Sequence, residues 1–188
     1  MIEKLKKYYH EPLVNFGVKG VMVYVLWKFT LKASQVLHPF VEWWNYLTGL
    51  ILKFVIFISY LLLKFLGNDV IQEGAFITVK GYSGVVVGPA CVGIGIIFGF
   101  TGLILAYPGS KKLRAKFIIG GFFALNFINA IRVTILCLLT GKYYDWAEFN
   151  HKYIFNNLLY VVVFLLWVWY VNSSNKAPKQ NIKNNDVS

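Results

Sequence analysis

Three residues of this 188-residue chain carry the side chains that acyl transfer requires: Cys91, Arg132 and His151. A cysteine thiolate attacks a carbonyl carbon, a fixed cation stabilises the oxyanion that results, and an imidazole moves the proton. Each has a plainer reading when taken alone. A single cysteine among apolar residues is usually a small inert hydrophobe, and a histidine at a membrane interface is usually a polar anchor. Arg132 is harder to set aside. It lies inside the apolar run Lys116 to Leu139, which also holds Asn126 and Asn129, and insertion scales put the cost of a charge there at roughly 2.5 to 3.5 kcal/mol. Of nineteen cationic residues only Arg114 and Arg132 are arginine, so a planar, permanently charged fork is what this position uses. Asn129, one turn earlier, is in reach to hydrogen-bond the guanidinium.

The stretch around the cysteine, Gly88-Pro89-Ala90-Cys91-Val92-Gly93-Ile94-Gly95, joins a short polar segment to the apolar run Val92 to Tyr107. Pro89 favours a break in the chain, which puts the thiol in the first turn of a membrane helix, where unpaired N–H groups and the helix dipole favour a thiolate. Ahead of it, residues 71–87 read as two strands around a turn: Val70-Ile71-Gln72-Glu73, then Phe76-Ile77-Thr78-Val79-Lys80, Gly81, and Tyr82 to Val87. Cys137 lies in an apolar run between Leu136 and Leu138, so no disulfide framework is expected. The chain has no phosphate-cradling glycine loop, HExxH or CxxC pattern, so neither a metal nor a cofactor is expected.

The elements that must position these residues are membrane helices. The chain is 57% hydrophobic and 18% aromatic, and several of its apolar runs approach the roughly 20 residues that a crossing needs. It has room for four or five crossings and none for a separate soluble or nucleotide-binding domain. The net charge of +11 reads as a membrane-orientation signal and a contact with lipid headgroups rather than as a nucleic-acid surface, because the lysines cluster at the ends of apolar runs. Gly20 to Leu37 reads as a retained first helix. In Glu42 to Leu66, the residues Glu42, Tyr46, Gly49, Lys53, Tyr60 and Lys64 fall in one narrow helical arc. That stripe fits an interfacial helix, giving four crossings, or a crossing helix with one face on a polar cavity, giving five. The four-crossing reading keeps the basic N-terminus inside.

Tyr107 to Lys116 carries four cations and no acid, which makes it a cytoplasmic loop by the positive-inside rule. Cys91, the β-hairpin and the segment Gly141 to Lys152 then lie on the outer side. Asp145 and Glu148 have the spacing of a capping box, so a last helix is expected to start there and run to Tyr170, followed by a disordered basic cytoplasmic tail. Three consecutive helices thus bring one Cys, one Arg and one His to similar depth. The expected fold is an all-α polytopic membrane protein with a short extracytoplasmic β-hairpin before the Cys-bearing helix. Its parts are an N-terminal membrane unit over 1–66, a core over 67–171 and a tail over 172–188.

Ala90-Cys91-Val92-Gly93-Ile94, then Asn129-Ala130-Ile131-Arg132-Val133, then His151 before a final membrane helix, resembles the exosortase/archaeosortase family in its compact form. The resemblance covers about Val70 to Tyr170, with Val92 where many relatives have Ser. It implies a membrane-embedded cysteine transpeptidase or protease acting on exported proteins that carry a C-terminal sorting signal, at the outer face of the cytoplasmic membrane. It implies Cys91 as nucleophile, Arg132 as the cation and His151 as acid/base. Glu148, one turn from His151, is then placed to orient the imidazole, and the outer hairpin to bind an extended segment by strand addition. Two other classes compete: a non-catalytic membrane module that partners a polysaccharide-export or assembly system, and a small anion channel lined by Arg132. The first tolerates loss of the thiol but not bulk at Gly93 or Gly99.

Overall fold

The computed structural model describes residues 12–141 and 155–176. Five helices and one small sheet make up this part: α1 (Pro12–Val36), α2 (His38–Phe65), β1 (Val70–Glu73), β2 (Phe76–Val79), β3 (Val85–Val86), α3 (Ile94–Ala106), α4 (Lys111–Leu139) and α5 (Phe155–Lys176), with a 3-10 turn at Pro89–Val92 ahead of α3. The helices α2, α4 and, from Asn157, α5 are long and apolar enough to cross a membrane. The shorter α3 is equally apolar, but its 13 residues span about 20 Å at 1.5 Å per residue, less than a hydrocarbon core of roughly 30 Å.

The helix α4 is the central element. It is capped by Ser110, whose side chain accepts from the Leu113 N–H, the interaction that satisfies one of the orphan donors of a first turn. Against α4, α3 runs antiparallel: Gly121 meets the Phe100 ring near one end, and Gly93 meets Asn129 near the other. On another side α2 runs parallel to α4. The Phe54 ring packs edge-on to Phe123 at 6.1 Å, and one further turn along, Ser59 Oγ donates to the Ala130 carbonyl at 3.1 Å. The polar stripe of α2 does not line an internal cavity, since Glu42, Tyr46, Lys53 and Lys64 are all exposed. The face buried against the rest of the molecule is Thr48, Val55, Ile56, Ser59 and Leu63, so an α2 that crosses does so with its polar arc turned to its surroundings.

At the end of the bundle where α2 and α4 finish, the chain forms a three-stranded antiparallel sheet in the order β1-β2-β3. The hairpin expected from the sequence is its first two strands, in register Val70↔Val79 to Glu73↔Phe76. The third strand, paired as Phe76↔Val86 and Ile77↔Val85, lies in the Tyr82 to Val87 segment and brings the two expected strands to three. It requires a tight return at Gly84, which has φ +76 and whose missing side chain leaves room for the Phe76 ring and Thr78. Ile77, Val79 and Val87 are buried with Val55, Leu63, Val133 and Cys137, each apolar side chain contributing roughly 1.5 to 3 kcal/mol.

The opposite end is held by the basic loop. Tyr107 offers its carbonyl to Arg114 Nη2 at 3.2 Å and to the Tyr170 hydroxyl at 3.4 Å, while Ser174 Oγ donates to the Pro108 carbonyl at 2.7 Å. These bonds correct the expected tail: residues 172–176 are not disordered but form the last turns of α5. Polar Asn, Ser and Lys read as a tail in the sequence, yet here Ser174 meets the Pro108 carbonyl and Asn175 Oδ1 accepts from the Tyr107 hydroxyl at 3.1 Å. Because Tyr170 packs on Phe117 at the start of α4, α5 is antiparallel to α4 and begins towards the sheet end.

Candidate active site

Cys91 does not lie in the first turn of a membrane helix. It belongs to the separate 3-10 turn Pro89–Val92, which ends at Gly93 with φ 64 and ψ 31, and α3 starts only at Ile94. A left-handed residue cannot continue a right-handed helix, so the cysteine is outside the α-helical N–H array and the expected dipole argument does not apply to it. The turn is fixed at three points instead. Val87 N–H donates to the Ala75 carbonyl at 2.9 Å and Cys91 N–H to the Gly88 carbonyl at 2.9 Å, and Asn129 Nδ2 donates to the Val92 carbonyl at 3.0 Å. The Cys91 side chain is 7% exposed, in the cluster formed by Val55, Val87, Ala130 and Val133.

Arg132 comes to the same place from α4. It is only 4% exposed, so it turns into the protein as a charge in an apolar run must, and its α4 neighbours Ala130 and Val133 pack in the cluster that holds Cys91. The spacing along α4 explains the meeting: Asn129 is level with Val92, and Arg132, three residues on, sits about 4.5 Å nearer the sheet. The two residues that the sequence singles out on separate helices are brought together.

Asn129 departs from expectation. Its amide donor goes to Val92, and its Oδ1 is buried and accepts no hydrogen bond among the described residues, so it does not receive the guanidinium. The Asn126 oxygen, one turn earlier, is in the same condition. A buried acceptor left unmet costs about 1 to 3 kcal/mol, which marks this face of α4 as one not composed for stability alone.

His151 and Glu148 lie outside the described residues, as does the Asp145 to Glu148 capping box. On either side of that segment, Gly141 packs against the Tyr82 ring of the sheet connection, and α5 starts towards the same end of the bundle. Cys137 plays a different part from Cys91. No disulfide joins them, and Cys137 Sγ donates to the Ile77 carbonyl at 3.5 Å beneath the sheet. Among the described residues no three His, Cys, Asp or Glu side chains converge.

Two features of the site were missed in the sequence. One is the break at Gly93, for which the only signal was a glycine following a proline-led turn. The other is Ser59, a hydroxyl inside an apolar run, which bridges the Val55 and Ala130 carbonyls and ties α2 to the site face of α4. Behind the turn, an apolar groove of about 630 Å³ begins at Gly93 and runs along α3 between Trp27, Phe98, Gly99 and Tyr160.

No curated protein and no solved structure matches the chain. The model of the transmembrane exosortase family (Exosortase_EpsH) matches residues 13–171, a longer stretch than the Val70 to Tyr170 on which the resemblance was read. With nearly every described residue inside that match, and with Cys91 and Arg132 brought together within it, the chain belongs to the transmembrane exosortase family.

Proposed function

We propose that this protein is a cysteine transpeptidase or protease that cleaves C-terminal sorting signals of exported proteins. The observation that carries this reading is the buried Arg132 on the stretch of α4 that holds the Cys91 turn, where Ala130 and Val133 pack with Cys91 and Asn129 bonds the Val92 carbonyl. A cation buried in an apolar bundle is costly unless it has a task, and a neighbouring nucleophile supplies one.

The reaction follows from the groups. The Cys91 thiolate attacks the scissile carbonyl carbon, forming a C–S bond and a tetrahedral oxyanion that Arg132 stabilises. His151 then delivers a proton to the leaving amine as the C–N bond breaks, which leaves a thioester on Cys91. Water or an amine acceptor, deprotonated by His151, attacks that thioester and restores the thiol. Glu148 orients the imidazole. The sheet end faces outward and the basic loop Tyr107 to Lys116 faces the cytoplasm, in keeping with its four cations and no acid. The groove that starts two residues after Cys91 supports a substrate whose apolar tail continues into the membrane.

The test compares membranes carrying the intact protein with membranes carrying Cys91→Ala, using mass spectrometry of exported proteins. Precursors that keep an apolar C-terminal tail are expected in the variant, with the same set in Arg132 and His151 variants. A well-expressed Cys91→Ala protein with no retained precursor would instead favour the non-catalytic module that partners an export or assembly system.

A further inference from the structure

Where a 3-10 turn meets an α-helix through a left-handed residue, one backbone carbonyl loses its partner. In an uninterrupted helix the Val92 carbonyl would accept from the Ile96 N–H. Here Ile96 and Ile97 both donate to the Gly93 carbonyl, at 2.9 and 3.0 Å. The Val92 carbonyl is fully buried and takes the Asn129 amide instead. Gly93 makes that approach possible, because a Cβ there would lie 3.2 Å from Asn129 Nδ2 as well as requiring a left-handed side chain. Nothing else in the arrangement rewards the asparagine, whose oxygen accepts no hydrogen bond among the described residues. What the bond does is lock the residue next to Cys91 to the helix that carries Arg132, one turn from Arg132 itself.

We propose that Asn129 is the positioning residue of the site: its bond to the Val92 carbonyl sets the Cys91 turn at a fixed register on α4, so that the thiol keeps Arg132 beside it. The inference rests on the catalytic reading above and deepens it. Asn129 touches neither substrate nor reacting atoms; it acts through Arg132.

The test needs no substrate. Purified protein is treated with iodoacetamide across a range of pH, and modification of Cys91 is followed by peptide mass spectrometry, with buried Cys137 as internal reference. In Asn129→Leu the pH–rate profile of Cys91 is expected to coincide with that of Arg132→Gln, both slower than the parent by about tenfold or more at pH 7. The double variant is expected to be displaced no further, because both changes remove one interaction. Gly93→Ala, which opens the same contact from the other side, is expected to give the same profile and decides the matter if Asn129→Leu does not fold. A folded Asn129→Leu or Gly93→Ala protein with the wild-type profile overturns the inference, as does an additive double variant. If Arg132→Gln itself leaves the profile unmoved, the catalytic reading fails rather than the positioning one.

Discussion

Replacing Arg132 by leucine separates what the arginine costs from what it does. The residue is buried in an apolar helix bundle, where insertion scales put the cost of a single charge at roughly 2.5 to 3.5 kcal/mol. The oxyanion it would hold is stabilised by donors whose removal costs roughly 10²- to 10³-fold in rate. Arg132→Leu is therefore expected to melt no lower than the parent in detergent while sorting-signal processing falls by at least about a hundredfold. Arg132→Lys keeps the charge and loses the planar fork, and an intermediate rate is expected. A variant that loses stability and keeps its activity would make Arg132 a structural residue. Which residues to single out at this scale was legible in the sequence, because a charge in an apolar run and a cysteine after a proline stand out by type alone. The partner of Asn129 was not, because spacing along one helix cannot say which carbonyl on another helix has lost its own donor.

At the scale of the elements, α4 is packed by small residues whose roles differ. Gly121 lies against the Phe100 ring, and Gly102 of α3 lies against Val23 of α1, so a methyl group at either would collide with a neighbour. Gly99, on the groove, has open space where a side chain would go. Gly121→Ala is expected to destabilise by about 1 to 3 kcal/mol through overpacking, and Gly99→Ala to leave the melting temperature unchanged. The same comparison probes the groove: Gly99→Leu with normal stability but reduced processing would mean that the substrate's tail passes along α3, and unimpaired processing would mean that it does not. The apolar runs and the order of the elements were readable from hydropathy and charge. The count of three strands and the extra turns of α5 were not. Each depends on a tertiary contact, Gly84 under Phe76 in one case and Ser174 on the Pro108 carbonyl in the other, and such contacts override what the local residues prefer.

For the whole molecule, the two ends of the bundle differ in kind. One carries the sheet with the Cys91 turn beneath it. The other carries Lys111, Lys112, Arg114 and Lys116 in the first turns of α4, after a short connection (Tyr107 to Ser110) bound to the end of α5. Each cation near an anionic leaflet contributes roughly 1 kcal/mol, so together they bias this end to the cytoplasmic side. Orientation is the point on which the proposed function depends most, because a site beneath the sheet meets an exported substrate only if the sheet faces outward. Ser83 in the sheet connection and Lys112 in the first turn of α4 are both exposed, and both are suited to single-cysteine reporters in a background with Cys91→Ala and Cys137→Ala. A membrane-impermeant maleimide is expected to label Ser83→Cys in intact cells and Lys112→Cys only after permeabilisation. The reverse pattern would put the Cys91 turn on the cytoplasmic side. There the thiol would meet proteins before export, and cleavage of a C-terminal signal after translocation would lose its physical basis even if Cys91 proved reactive.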